Sequence, residues 1–188
     1  EPNIKESPGG LRDSHTVFWV ARAQGIADDP YGLADQGLIS RAEARDLTRS
    51  IRVLSDLRIR LHYLAGRRED RLVFDHQNEI ARELSLEARR RGKRELRPSE
   101  LLMRRYYLAA KSIWRYNTLL LAELGRRVAT RAERRIKRID SEFIAIGDSL
   151  DLIDDTLFEQ RPAAMLDAFL VLQQHPDVAA FGPSILRA

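Results

Sequence analysis

The chain has 188 residues, 32 of them Lys or Arg and 28 Asp or Glu, for a formal net charge of +4. That length suits one domain with a small appendage and buries roughly 70% of the unfolded surface, so no covalent staple is needed. With 44% hydrophobic and 32% charged residues, no cysteine, and no apolar run near the roughly 20 residues of a membrane span, the composition excludes a transmembrane helix, disulfides and thiolate metal sites, and is compatible with the cytoplasm.

The first stretch, Glu1 to Asp13, reads Glu-Pro-Asn-Ile-Lys-Glu-Ser-Pro-Gly-Gly-Leu-Arg-Asp. It is extended around Pro2 and Lys5 and turns at Pro8-Gly9-Gly10, where backbone amides can approach a ligand closely. A helix beginning near Asp13 completes an order, extended segment then glycine turn then helix N-terminus, that commonly presents amides to phosphate. Plain chain reversal is the competing reading of the same residues. The helix runs to about Gln24, with Val17, Val20, Ala21, Phe18 and Trp19 on a broad apolar side, and Gly25 ends it. Asp28-Asp29-Pro30 opens a short turn or helix through Ala34, closed by Gly37.

Ser40 and Glu43 form a capping-box pattern. Behind it Ala44, Leu47, Ile51, Leu54, Leu57, Leu61 and Leu64 recur at three and four residues, one stripe along about 40 Å of helix ending at Gly66. Arg67 to Gln77 breaks the pattern; Asp75 is placed to cap a helix running to about Leu84. Two readings fit this dense charge: ion-pair scaffolding, or Arg68 or Arg71 meeting a phosphate or an acidic partner. Arg89 to Arg94 is the sharpest charge run and reads as an exposed, mobile loop. A second long helix follows from Ser99, with Leu102, Tyr106, Ala109, Ile113, Leu120, Leu124 and Val128 on one stripe, flanked by Tyr107 and Trp114. Asn117 interrupts that stripe and is expected to bond across the bundle; the helix is expected to continue through Arg126-Arg127 toward Arg134-Arg135 as an extension or linker.

Near Glu142 the period changes. Phe143 to Ile146, Gly147-Asp148 and Ser149 to Ile153 make a small hairpin. Pro162 introduces a helix over Ala164 to Gln174 with Met165, Leu166, Phe169 and Leu172 inward, stopped by Pro176, and Pro183 starts one more. The expected fold is mainly α, a helical bundle with two long antiparallel helices and a hairpin near 143–153. Both ends are expected to be cut from a longer protein.

Catalytic signatures are sparse. His15, His62, His76 and His175 are scattered without ligand spacing, Asp148, Asp151, Asp154 and Asp155 do not follow the calcium-loop pattern, and no Gly-rich loop with Lys-Ser/Thr occurs. A pI of about 9.7 permits nucleotide, nucleic acid or an acidic protein as partner. Nucleic acid is disfavoured: aromatics do not interleave with the arginine tracts, and Glu87, Glu95 and Glu133 dilute them. By these criteria the chain alone is not a complete enzyme.

Four stretches resemble one family: Glu1 to Arg22, Leu61 to Gln77, Met103 to Tyr107 with Asn117 to Leu121, and Leu157-Phe158 to Gln174-His175. Together they resemble the bacterial PII-protein uridylyltransferase/uridylyl-removing enzymes. The glutamine synthetase adenylyltransferases are the nearest competitor, and the opening run resembles the uridylyltransferase version better. The resemblance implies a multidomain enzyme that attaches UMP from UTP to a tyrosine of the PII signalling protein with magnesium. A phosphohydrolase domain removes it, and further domains sense glutamine.

On that likeness, 1–13 is the tail of a nucleotidyltransferase domain, 14–135 a helical substrate-positioning bundle, and 136–188 a hairpin and helices leading toward the hydrolase. Lys5, Gly9, Gly10, Arg12 and Asp13 match the family run and are the expected nucleotide-proximal positions; Glu1 stands where a third catalytic carboxylate would fall. Ser14 departs from the apolar residue expected there. No metal ligand is expected within this segment. A stand-alone helical interaction module remains the alternative class.

Overall fold

A computed structural model describes residues 1–91, 94–128 and 135–187. They divide into two compact units, Glu1–Thr118 and Leu119–Ala188, the division falling within one helix. The fold is mainly α with a small β part.

The first unit opens with a hydrogen-bonded turn, then α1 (Leu11–Ala23), which starts two residues earlier than expected because the extended Gly10 is its N-cap. In α2 (Pro30–Asp35) the Asp29 carboxylate accepts from the amides of Tyr31 at 2.7 Å and Gly32 at 2.9 Å, with Pro30 at the first helical position, where its missing N–H costs nothing. The capping box of α3 (Arg41–Ala65) is complete: Glu43 N–H donates to Ser40 Oγ at 3.2 Å and Ser40 N–H to Glu43 Oε2 at 2.7 Å. The α3 stripe is buried at Ala44, Leu47, Leu54, Leu57 and Leu61, while Ser50 rather than Ile51 occupies the fully buried place between Leu47 and Leu54. Gly66, in the left-handed region, stops the helix.

α4 (Phe74–Glu83) departs from expectation at its start. Val73 is the N-cap and has no side-chain bond; Asp75 lies inside the first turn. The buried Gln77 closes this corner by donating Nε2–H to the Leu72 carbonyl at 2.8 Å. The arginine run also corrects an expectation. Arg89–Arg91 (β1) and Arg94–Leu96 (β2) pair antiparallel, Arg89 opposite Leu96, where a loop was expected. Backbone groups pair in a ladder whatever the side-chain charge, which charge patterning alone does not register. The expectation for Gly92 and Lys93 lies outside the described residues.

α5 (Pro98–Val128) buries Leu102, Tyr106, Ala109, Ile113, Leu120 and Leu124 as the spacing predicts, and leaves Tyr107 and Trp114 exposed, together with Val128, which the spacing places on the stripe. Ser112 Oγ donates to Asp46 Oδ2 at 2.6 Å, tying α5 to α3. The bond expected of Asn117 is not made: its Oδ1 is buried without a partner among the described residues. The expected helix is described through Arg126 and Arg127 to Val128; its continuation toward Arg134 lies outside the described residues, and Arg135 stands just before a strand.

The second unit contains a four-stranded sheet in the order β3-β4-β5-β6, from Ile136–Arg138, Phe143–Ile146, Ser149–Leu152 and Ala180–Phe181. The expected hairpin is β4 and β5, with Phe143 opposite Leu152. It is extended by antiparallel β3 and by β6, parallel to β5, neither foreseen. α6 (Leu157–Gln160), α7 (Ala164–Gln174) and α8 (Pro183–Arg187) complete it.

The inward face of α7 is not the one expected. Ala164, Ala168 and Val171 are buried in the core with Phe143, Leu150 and Phe158, while Met165, Leu166 and Phe169 are 41%, 70% and 61% exposed and Leu172 is half-buried. The helix is apolar nearly all round, so periodicity does not select a side; the small residues do, because they let the backbone approach the sheet. Phe169 instead lies edge-on to Phe181, ring centroids 5.0 Å apart.

Candidate functional site

The opening turn is bonded to itself throughout. Asn3 Oδ1 accepts from the amides of Lys5 at 3.0 Å and Glu6 at 2.7 Å, and Asn3 N–H donates to Ser7 Oγ at 2.9 Å. Gly9 N–H donates to Asp13 Oδ2 at 2.7 Å, and the amides of Gly10, Leu11, Arg12 and Asp13 donate to the carbonyls of Ser7, Ile4, Lys5 and Gly10. The amides that sequence reasoning offered to phosphate are thus already engaged. What this turn presents outward is side chains: Lys5, half-buried, and Arg12, in an exposed ion pair with Glu6 at 2.8 Å.

The turn is docked at three points. Asn3 and Arg71 form an antiparallel bridge, flanked by Ile4 N–H to the Asp70 carbonyl at 2.8 Å and Leu72 N–H to the Pro2 carbonyl at 2.9 Å. Ile4 is fully buried. Ser7 hydrogen-bonds Tyr106 of α5, whose phenol pKa is raised chiefly by burial, the Ser7 bond opposing. Gly9 packs on the Ala110 backbone, and no side chain larger than hydrogen fits there.

Asp70 secures the other side of the bridge. Its carboxylate accepts from Arg58 Nε at 2.6 Å and lies 3.3 Å from His62 Nε2, two positions four residues apart on α3. Burial pushes the Asp70 carboxyl up, but Arg58 and His62 together outweigh it and hold the group below its ordinary value. Glu69 folds back to accept the amides of Arg71 at 2.9 Å and Asp70 at 3.0 Å, and the Arg71 bond leads in lowering its pKa. The loop therefore is scaffolded by ion pairs and hydrogen bonds, while its two remaining arginines stay exposed, Arg68 and Arg71 having no side-chain partner among the described residues.

Of the sequence-predicted residues, the structure gathers Lys5, Gly9, Gly10, Arg12 and Asp13 in one turn and brings Arg71 beside it through the Asn3 bridge. Gly9, Gly10 and Asp13 build the turn. Arg68 stands three residues before that bridge, and Glu1 is exposed. Asn3 and Asp70 escaped sequence reasoning. An Asx turn two residues before Lys5 was a legible sign of the first; the partners of Asp70 lie twelve and eight residues away on another element and gave no local sign. Magnesium, which the resemblance implies, finds no donor set here: among the described residues no three His, Asp or Glu gather as a metal site. No helix among those residues is long and apolar enough to cross a membrane.

The family model described as GlnD PII-uridylyltransferase matches residues 1–121, which include the turn, the bridge and most of α5. A second, described as the uridylyltransferase GlnD third domain, matches residues 143–188. The chain is 48% identical over its whole length to the bifunctional uridylyltransferase/uridylyl-removing enzyme of Nitrosospira multiformis and 43% to that of Chromobacterium violaceum. It spans 21% and 22% of those two proteins, about a fifth of their length. No solved structure matches. Since both units are matched, and the first family model alone covers more than half of the residues, the chain belongs to the GlnD PII-uridylyltransferase family.

Proposed function

We propose that this chain is the helical segment of an enzyme that adds UMP from UTP to a PII-type signalling protein in the cytoplasm and removes it again, and that the segment positions substrate and couples domains. The observation that carries the reading is the opening turn. Residues matching the family run, Lys5 and Arg12, belong to a turn fixed to α5 and to the Asp70 loop, so the backbone that carries their charges is set before any ligand arrives. Positioning of this kind supplies much of the rate in phosphoryl-type transfer, where little covalent chemistry falls to the protein.

In this reading Lys5, Arg12 and Arg71 attract the triphosphate and orient it. Arg12 is free to exchange partners because its exposed pair with Glu6 is worth less than about 1 kcal/mol. Magnesium, the catalytic carboxylates, the hydrolase and the glutamine-sensing parts belong to other segments of the parent protein. This segment alone is inactive in both directions.

The test is an NMR titration of the chain with UTP, with ATP as control, alongside a Lys5→Ala, Arg12→Ala double variant. Resonance shifts confined to Lys5 through Asp13 and the Arg71 bridge, larger with UTP and lost in the variant, are the expected result. A folded sample that responds nowhere, or equally to both nucleotides, removes the nucleotide-proximal role and leaves the segment as scaffold.

A further inference from the structure

A groove between the end of α4 and the first turns of α5 takes no part in the site above. It holds about 420 Å³, within the range of roughly 300–1,000 Å³ usual for ligand sites. Leu84 and Leu86, from the turn that ends α4, face Leu108 of α5, which is 59% exposed. Arg104 and Arg105 share the same walls. Both are exposed, and neither makes an ion pair or hydrogen bond among the described residues; Glu87, the carboxylate of the groove, pairs with neither.

Unpaired guanidinium groups beside an aliphatic floor select a ligand that is acidic and apolar at once. A carboxylate satisfies a guanidinium through two parallel N–H···O bonds. The leucines stay wetted until an apolar side chain covers them, which is the driving force left on this surface. A nucleic acid strand fits less well: among the described residues the lining holds no aromatic ring on which a base could stack. We propose that this groove docks a short acidic segment of a partner protein, which lays a leucine-type side chain over Leu86 and Leu108 and pairs its flanking carboxylates with Arg104 and Arg105. The site is independent of the nucleotide reading, because no residue of the opening turn lines it.

The experiment is fluorescence anisotropy on the full 188-residue chain, with a labelled synthetic peptide in which two leucines are flanked by glutamates. Saturable binding is expected, weakened roughly tenfold or more by Arg104→Glu with Arg105→Glu, and similarly by Leu108→Asp. A peptide with serine in place of each leucine, its charge unchanged, is expected to lose a comparable factor. All three substituted side chains are exposed, so far-ultraviolet dichroism and melting should be unaltered. The proposal is overturned by absence of saturable binding, by equal binding of the charge-reversed chain, or by equal binding of the serine peptide. It is overturned also if a single-stranded oligonucleotide or inorganic phosphate displaces the peptide at lower concentration than the unlabelled peptide does, which would make the groove a phosphate site.

Discussion

Gly9 rests on the backbone of Ala110: a Cβ at Gly9 would fall 2.0 Å from the Ala110 carbonyl oxygen, and Gly9 itself has φ +75°. Two separate requirements therefore meet at one residue. Gly25 carries only the second of them, with φ +67° and nothing within 4 Å of a Cβ. Gly9→Ala is expected to cost about 3 kcal/mol or more, conformational strain plus overpacking against a backbone that cannot yield, and Gly25→Ala about 1 kcal/mol. Urea unfolding followed by tryptophan fluorescence measures both, because Trp19 and Trp114 lie in the first unit. Equal losses in the two variants would mean that the turn is not seated on α5.

Asp70 makes the first unit acid-sensitive. Its folded pKa lies below the ordinary 3.8, so its contribution is fully present above that value and is lost as pH falls through the lower folded value. Asp70→Asn is expected to cost about 2 kcal/mol at neutral pH, the range for hydrogen bonds to a charged group. The variant should also show a shallower fall in stability below about pH 4. The Asp70 carbonyl still receives Ile4, so the bridge survives. Unfolding midpoints between pH 6 and pH 3 check this; parallel pH curves for the two proteins would contradict it.

Ser85 has φ 50° at the position after the α4 C-cap, where Ser85 N–H reaches the Arg82 carbonyl and Leu86 N–H the Ala81 carbonyl. This closing pattern favours glycine. Ser85→Gly should raise stability by about 1 kcal/mol by relieving left-handed strain. A destabilised variant in the same fluorescence assay would show that the serine side chain contributes more than its backbone costs.

In the second unit Asp151 is the buried anchor. Its carboxylate accepts from Ser184 N–H at 3.0 Å and from the Ser184 hydroxyl, and contacts Arg126. Asp151→Ala is expected to cost about 3 kcal/mol, since it strands a charged and a polar partner together, and Ser184→Ala about 1 kcal/mol. Amide exchange of β4 and β5 reports this unit apart from the first. Unchanged protection in Asp151→Ala would remove the carboxylate from the fold's supports.

How far the sequence could be read follows from the range of the forces concerned. The Ser40 and Glu43 box, the Asp29 and Pro30 helix start, the long leucine rows of α3 and α5 and the hairpin turn at Gly147 were all legible, because each partner lies within a few residues along the chain. The run from Glu1 to Asp13 was legible as a family feature and as a turn.

Tertiary structure decided the remainder. It decided that the amides of Gly9 to Asp13 bond inward, that Asp70 joins α3 to the opening segment, and that α7 turns Ala164, Ala168 and Val171 inward while Phe169 stays out. Periodicity states that a helix has an apolar face; when every face is apolar, only the shape of the opposing sheet chooses among them. Likewise a carboxylate's charge is written in the sequence, but the cations that stabilise it are selected by the fold that brings distant elements within hydrogen-bonding reach.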